Sequence, residues 1–78
     1  MERKYNYDYS KLLERIHKKY GTVTRFSNAM DCKLSTMSMR LNNHAEWSQK
    51  DICKAIELLR ISSRDVGAFF YTVNVQKD

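Results

Sequence analysis

Proline is absent from the 78 residues, and glycine occurs only at Gly21 and Gly67. That excludes a proline-rich or glycine/serine-rich linker and leaves no low-complexity tract. Cysteine is nearly as scarce. Cys32 and Cys53 do not make a disulfide scaffold, and both fall in apolar patterns, so they read as reduced core residues of a cytosolic protein. No stretch approaches the roughly 18 apolar residues of a membrane span, so no membrane partner is expected. The opening MERKYNYDYS carries basic residues with no apolar run after them, which does not fit a signal peptide. Chemical motifs are missing too. There is no glycine-rich phosphate loop, no HExxH-type metal pair and no nucleophile motif. His17, Cys32, His44 and Cys53 lack the close pairs that zinc sites use. The sequence therefore predicts neither an enzyme nor a cofactor, metal or small-molecule substrate.

What is there suits a small helical core. Hydrophobic residues make up 42% of the chain, enough for one domain spanning 1–78 at a size where roughly 60% of the unfolded surface is removed from water. The net charge is +5, and its distribution is uneven. Residues 1–20 carry six Lys/Arg against three acids, residues 21–45 three against one, and residues 46–78 five of each. An excess confined to the first half is what a face turned toward a polyanion would show.

Apolar spacing divides the chain into short helices. Leu12, Leu13, Ile16 and Tyr20 recur at helical intervals over 10–20, with Asp8 or Ser10 to cap the start and Gly21 to end it. Thr22 can cap a second helix whose buried stripe is Val23, Phe26 and Met30. Asp31–Cys32–Lys33 interrupts as a turn, and a third helix follows with Leu34, Met37 and Leu41 along one side. Asn42, Asn43 and His44 end it as a polar loop. Ser48 with Asp51 forms an aspartate variant of the capping box for a fourth helix faced by Ile52, Ala55, Ile56 and Leu59. Ser62 or Ser63 caps a short fifth segment through Phe69. Tyr71, Val73 and Val75 then alternate with polar residues as a strand would, and so do Tyr5, Tyr7 and Tyr9. The fold class read from this pattern is mainly α: four to five short helices with a central helix-turn-helix and small β elements at the termini.

The segment from Val23 to Asn42 carries the functional argument. Two short helices joined by a tight turn, the second polar on its outer face, make the helix-turn-helix plan. Phe26 and Met30 must meet Met37 and Leu41, Cys32 fills the turn, and small Ser27 lets the helices approach. The run GTVTRFSNAMDCKLSTMSMRLNNHAEWSQKDICKAIELLRIS resembles the Cro and C-repressor class of phage regulators. It is most similar to a small group from phages of Gram-positive bacteria that shares YNYDYSKL, LNN before EWSQ, and a terminal aromatic segment. Three positions depart from the class pattern. Asp31 stands where glycine is usual in the turn, Ser27 where alanine is usual, and Lys33 where a capping serine commonly opens the recognition helix.

The resemblance implies a lambda-repressor-like fold and a Cro-like repressor that binds double-stranded operator DNA in the bacterial host cytoplasm. By position, Lys33, Leu34, Ser35, Ser38 and Met39 would read bases. Thr22, Val23, Arg25, Thr36, Arg40, Asn42, Asn43 and His44 would lie along the DNA backbone. Regulators of this type bind paired half-sites, so a homodimer through Phe70, Tyr71, Val73 and Val75 is expected, with recognition helices about 34 Å apart. The alternative is a protein-interaction module of the same fold, such as an antirepressor that binds another regulator. A partner-binding third helix should be more apolar than Lys33, Ser35, Ser38 and Arg40 suggest. Trp47 reads as a packing residue that fixes the loop between the third and fourth helices.

Overall fold

In the computed structural model, which describes residues 6–74, a two-residue strand β1 (Asn6–Tyr7) leads into α1 (Ser10–Tyr20), α2 (Val23–Ala29), α3 (Leu34–Leu41) and α4 (Gln49–Leu59). A 3₁₀ turn (Ser63–Asp65), α5 (Val66–Phe70) and strand β2 (Val73–Asn74) complete the order. The mainly helical class with small terminal β elements is as the sequence pattern predicts.

Each boundary has a local cause. Asp8 accepts from the Ser10 backbone N–H at 2.9 Å and from its hydroxyl at 2.6 Å, which tightens the entry to α1. Those bonds favour the ionised carboxyl and hold Asp8 below the usual carboxylate range. Gly21, at φ 82°, ends α1 in a conformation that costs glycine little, and its N–H returns to the His17 carbonyl. Thr22 then caps α2 by accepting from the Arg25 N–H at 3.1 Å. Ser48 does the same for α4 from Asp51 at 3.1 Å, while its hydroxyl donates to the Asp51 carboxylate at 2.8 Å. Arg60 ends α4 at φ 56°. The carbonyls of Leu59 and Arg60 there accept from the Arg15 guanidinium at 2.7 and 3.2 Å, so a long-range cation covers acceptors the helix itself cannot satisfy.

The core lies where the apolar stripes meet. Leu12 and Ile16 from α1, Phe26 and Met30 from α2, Met37 from α3, Ile52, Ala55 and Leu59 from α4, and Phe69 and Phe70 from α5 form one buried cluster. Ser27 is buried among them, and its hydroxyl donates to the Val23 carbonyl at 2.8 Å, so the small residue brings no unpaired polar group into the core. Cys32 is half-buried against this cluster, whereas Cys53 is exposed. The core reading of Cys53 is thus corrected: it shares α4 with Ile52 but lies one residue, about 100° of helix, off the buried stripe.

The first and last described segments pair with each other. β1 and β2 pair antiparallel in the register Asn6↔Asn74 and Tyr7↔Val73, and the Asp8 N–H extends the ladder to the Thr72 carbonyl at 2.7 Å. The expected terminal strand is shorter than its alternation suggested. The Tyr71 N–H still donates to the Gly67 carbonyl, and the Thr72 hydroxyl to the Ala68 carbonyl, so the end of α5 holds these residues and only the Thr72 carbonyl joins the ladder. Tyr5 and Val75 lie outside the described residues.

Candidate functional site: the outward face of the third helix

α2 and α3 are joined by residues 30–33, and the turn is made by an unusual backbone. Asp31 adopts φ 59°, the left-handed region that favours glycine and that aspartate tolerates better than most residues. Its N–H bonds the Asn28 carbonyl and that of Cys32 the Ser27 carbonyl, both at 3.0 Å, so α2 finishes without orphan acceptors at these points. The ammonium of Lys54 on α4 covers the Met30 carbonyl at 3.2 Å. Lys33 then enters α3 in an extended conformation and makes no side-chain cap. The loss of the usual serine is therefore not replaced by a side chain of the chain itself.

With α3 anchored through Met37, its other face looks outward. Lys33, at the helix start, and Leu34, Ser35, Ser38 and Met39 are all exposed, with Leu34 and Met39 about 140° apart around the helix and the two serines between them. Two of the five are large and apolar: Leu34 is 46% and Met39 47% exposed. Leu34 therefore leaves the buried side on which helical spacing had set it with Met37 and Leu41.

The residues expected along a DNA backbone divide. Thr22, Arg25 and His44 are exposed, as is Asn42, whose amide donates to the Ser38 carbonyl at 2.8 Å. Val23 and Thr36 are half-buried. Arg40 and Asn43 have internal work. The Arg40 guanidinium forms an ion pair with Asp51 at 2.8 Å with only 15% of its side chain exposed, and lies 5.6 Å from the Trp47 ring centre. One of its terminal nitrogens is buried and makes no hydrogen bond. Asn43, at φ 65°, accepts from the Tyr7 N–H and donates to the Tyr7 carbonyl, both at 2.9 Å. It ties β1 to the end of α3. Asp51 and Tyr7 are the partners that sequence reading missed, since neither pairing has a local signature in the chain.

The expected dimer surface is corrected in part. Phe70 is 2% exposed within a single chain and packs edge-on against Trp47, with ring centres 5.1 Å apart. A residue already buried by its own fold cannot be an interface anchor. Tyr71 and Val73 are exposed. Trp47 does fix the loop before α4: Tyr9, Phe70 and Arg40 surround it.

A five-helix body that presents the second helix of a helix–turn–helix pair is the architecture of a small phage regulator. The chain belongs to the family described as "Protein of unknown function (DUF739)", whose match covers residues 5–73. It is similar to the modulator of repression of the temperate bacteriophage TP901-1 from Lactococcus lactis, known from a solution structure. The two share 36% sequence identity over 90% of this chain and 95% of that one, with a TM-score of 0.77. Among curated proteins none matches. The resemblance to phage regulators thus holds at the level of the family and of a modulator of repression, and the Cro or C-repressor assignment is not what these matches support.

Proposed function

We propose that the chain is a phage-type regulatory protein that acts in the host cytoplasm by binding another transcriptional regulator through the outward face of α3. The observation that carries this reading is the exposure of both Leu34 and Met39 on α3 together with the withdrawal of Arg40 into the Asp51 ion pair. A DNA-reading helix needs free cations for phosphates, because these supply most of the affinity. A protein-binding face needs apolar anchors ringed by polar groups, which Leu34 and Met39 among Lys33, Ser35 and Ser38 provide. Similarity to a modulator of repression supports a partner that is itself a repressor.

Operator binding as a Cro-like homodimer is the second reading. It is favoured by the net charge of +5 and by Lys33, Ser35 and Ser38 protruding together. Fluorescence anisotropy of labelled duplexes selected from random DNA separates the two. The first reading predicts only weak binding by the chain alone, with no base preference. Tight, sequence-selective binding whose logarithm falls by about 0.9 per phosphate contact against the logarithm of salt would establish the second.

A further inference from the structure

Once Arg40 has turned onto Asp51, Lys33 is the cation that remains at the outward face of α3. α1 carries more. Its sequence SKLLERIHKKY buries Leu12 and Ile16 and sets Lys11, Arg15, Lys18 and Lys19 on the other side. At 100° per residue these four fall within an arc of about 100°, and they run along about 12 Å of helix axis. Lys11, Lys18 and Lys19 are exposed, and Arg15 is half-buried.

Helix stability does not account for this stripe. Lys18 and Lys19 suit the dipole at the end of α1, but Lys11 lies in the first turn, where the dipole opposes a cation. Lys11 with Arg15, and Arg15 with Lys19, are like-charge pairs four residues apart, an arrangement that destabilises a helix. Glu14 is the one acid of α1, and no carboxylate among the described residues forms an ion pair with any of the four cations. Two of them are nevertheless held in place. The Lys11 ammonium lies 5.6 Å and the Arg15 guanidinium 5.1 Å from the centre of the Phe69 ring, and Arg15 also donates to the Leu59 and Arg60 carbonyls. The positions are fixed by α5 and the end of α4, while the charge stays uncompensated.

The composition of this face selects its partner. The exposed residues of α1 are Ser10, Lys11, Glu14, His17, Lys18 and Lys19, with no apolar side chain among them. A protein interface is depleted in lysine and needs apolar anchors, whereas phosphate contacts need only cations. Over about 12 Å of axis, one strand of a DNA duplex carries roughly three or four phosphates.

We propose that the Lys11–Arg15–Lys18–Lys19 stripe of α1 binds the phosphate backbone of duplex DNA irrespective of base sequence. It is a different surface from the one proposed for the regulator: α3 packs on α2, while the stripe borders α5 and the end of α4. Resting on the proposed function in this one respect, the stripe would hold the chain and a regulator seated on α3 against the DNA on which that regulator acts.

The full chain is titrated into a labelled duplex of arbitrary sequence, about 20 base pairs long, and anisotropy is read from about 50 mM salt upward. The wild type should bind with a Kd of roughly 10⁻⁶–10⁻⁴ M and no base preference. Lys11→Gln combined with Lys18→Gln should weaken binding at least about tenfold and flatten the dependence of log affinity on log salt by about 0.9 per lysine. Lys33→Gln combined with Lys50→Gln removes the same net charge from exposed positions elsewhere and should change affinity less than about threefold. An equal loss in both pairs, or no binding by the wild type at low salt, would overturn the stripe. Poly-glutamate that competes as well as DNA per unit charge, or tighter binding of an RNA duplex, would overturn its assignment to DNA. Leu34→Ser combined with Met39→Ser, which removes the apolar anchors of α3, should leave duplex affinity unchanged. No regulator enters these titrations, so the stripe can fail while α3 still binds one. In the converse case, duplex binding through α1 persists in a chain that binds no regulator.

Discussion

The two ends of α3 serve opposite purposes. At its start the helix emerges from a strained turn with no side-chain cap and shows Leu34, Ser35, Ser38 and Met39 to solvent. At its finish Arg40 is drawn onto Asp51 and Trp47, and Asn43 clasps the backbone of Tyr7. One end is presented; the other is fastened to α4, the loop and β1. The difference shows that residue type alone does not mark a binding face. Arg40 and Asn43, both expected to touch a ligand, are consumed by the fold, whereas Leu34 and Met39 stay exposed beside Lys33, Ser35 and Ser38.

The contrast is broken most forcefully at Phe70. Phe70→Ala should destabilise the chain by about 3–5 kcal/mol in urea or thermal unfolding, the range for removing a buried aromatic ring. Leu34→Ser and Met39→Ser should each stay within about 0.5 kcal/mol, as exposed substitutions do. A small effect at Phe70 together with a change of oligomeric state would restore the ring to an intermolecular contact.

Next in size is the ion pair. Asp51→Ala should cost about 1–2 kcal/mol, between the values for exposed and buried pairs, because it strands a half-buried guanidinium and weakens the α4 cap. If Arg40 is thereby released, the chain's non-specific affinity for duplex DNA should rise, which gel shifts at low salt can detect. Asn43→Gly keeps the left-handed backbone accessible and removes both bonds to Tyr7, so a loss of about 1 kcal/mol is expected. Faster amide exchange at Tyr7 would accompany it.

Two smaller effects sharpen the picture of the turn. Asp31→Gly should raise stability by about 0.5 kcal/mol, since relief at φ 59° outweighs the added freedom of the unfolded chain. A lower melting temperature would mean that the aspartate side chain makes a compensating contact. Close by, burial pushes the Cys32 thiol above its ordinary value, against the opposing charge of Arg40. An aromatic disulfide reagent at neutral pH should therefore label exposed Cys53 well before Cys32, and unfolding should bring their rates together.

Local chemistry made most of the fold legible in advance. Gly21, Thr22 and the Ser48–Asp51 pair are signals contained within one turn of chain, and the helix ends fall where they stand. Asp31 in the glycine position of the turn predicted positive φ, and the backbone has it. Lys33, Ser35, Ser38 and Met39 are grouped by position in the family resemblance, and all four are exposed. What local chemistry missed depends on distance. Asn43 and Tyr7 are separated by 36 residues, and the Arg15 bond to Leu59 by 44. Such pairings arise only once helices have packed, and a polar loop residue reads the same in sequence whether it faces solvent or a strand. Leu34 was misplaced for a related reason. Helical spacing assigns three apolar residues to one side, but a helix of eight residues whose buried contact is centred on Met37 leaves its first turn outside the core.

The central claim is that α3 presents a protein-binding face, and isothermal titration calorimetry against a repressor carried by the same genome tests it most directly. The wild-type chain should bind that repressor without DNA, with a negative heat-capacity change from burial of Leu34 and Met39. The double variant Leu34→Asp, Met39→Asp, folded by circular dichroism, should lose at least about 2 kcal/mol, some thirtyfold in affinity. Unchanged binding by the double variant, or no binding by the wild type alongside tight operator binding of its own, would contradict the account.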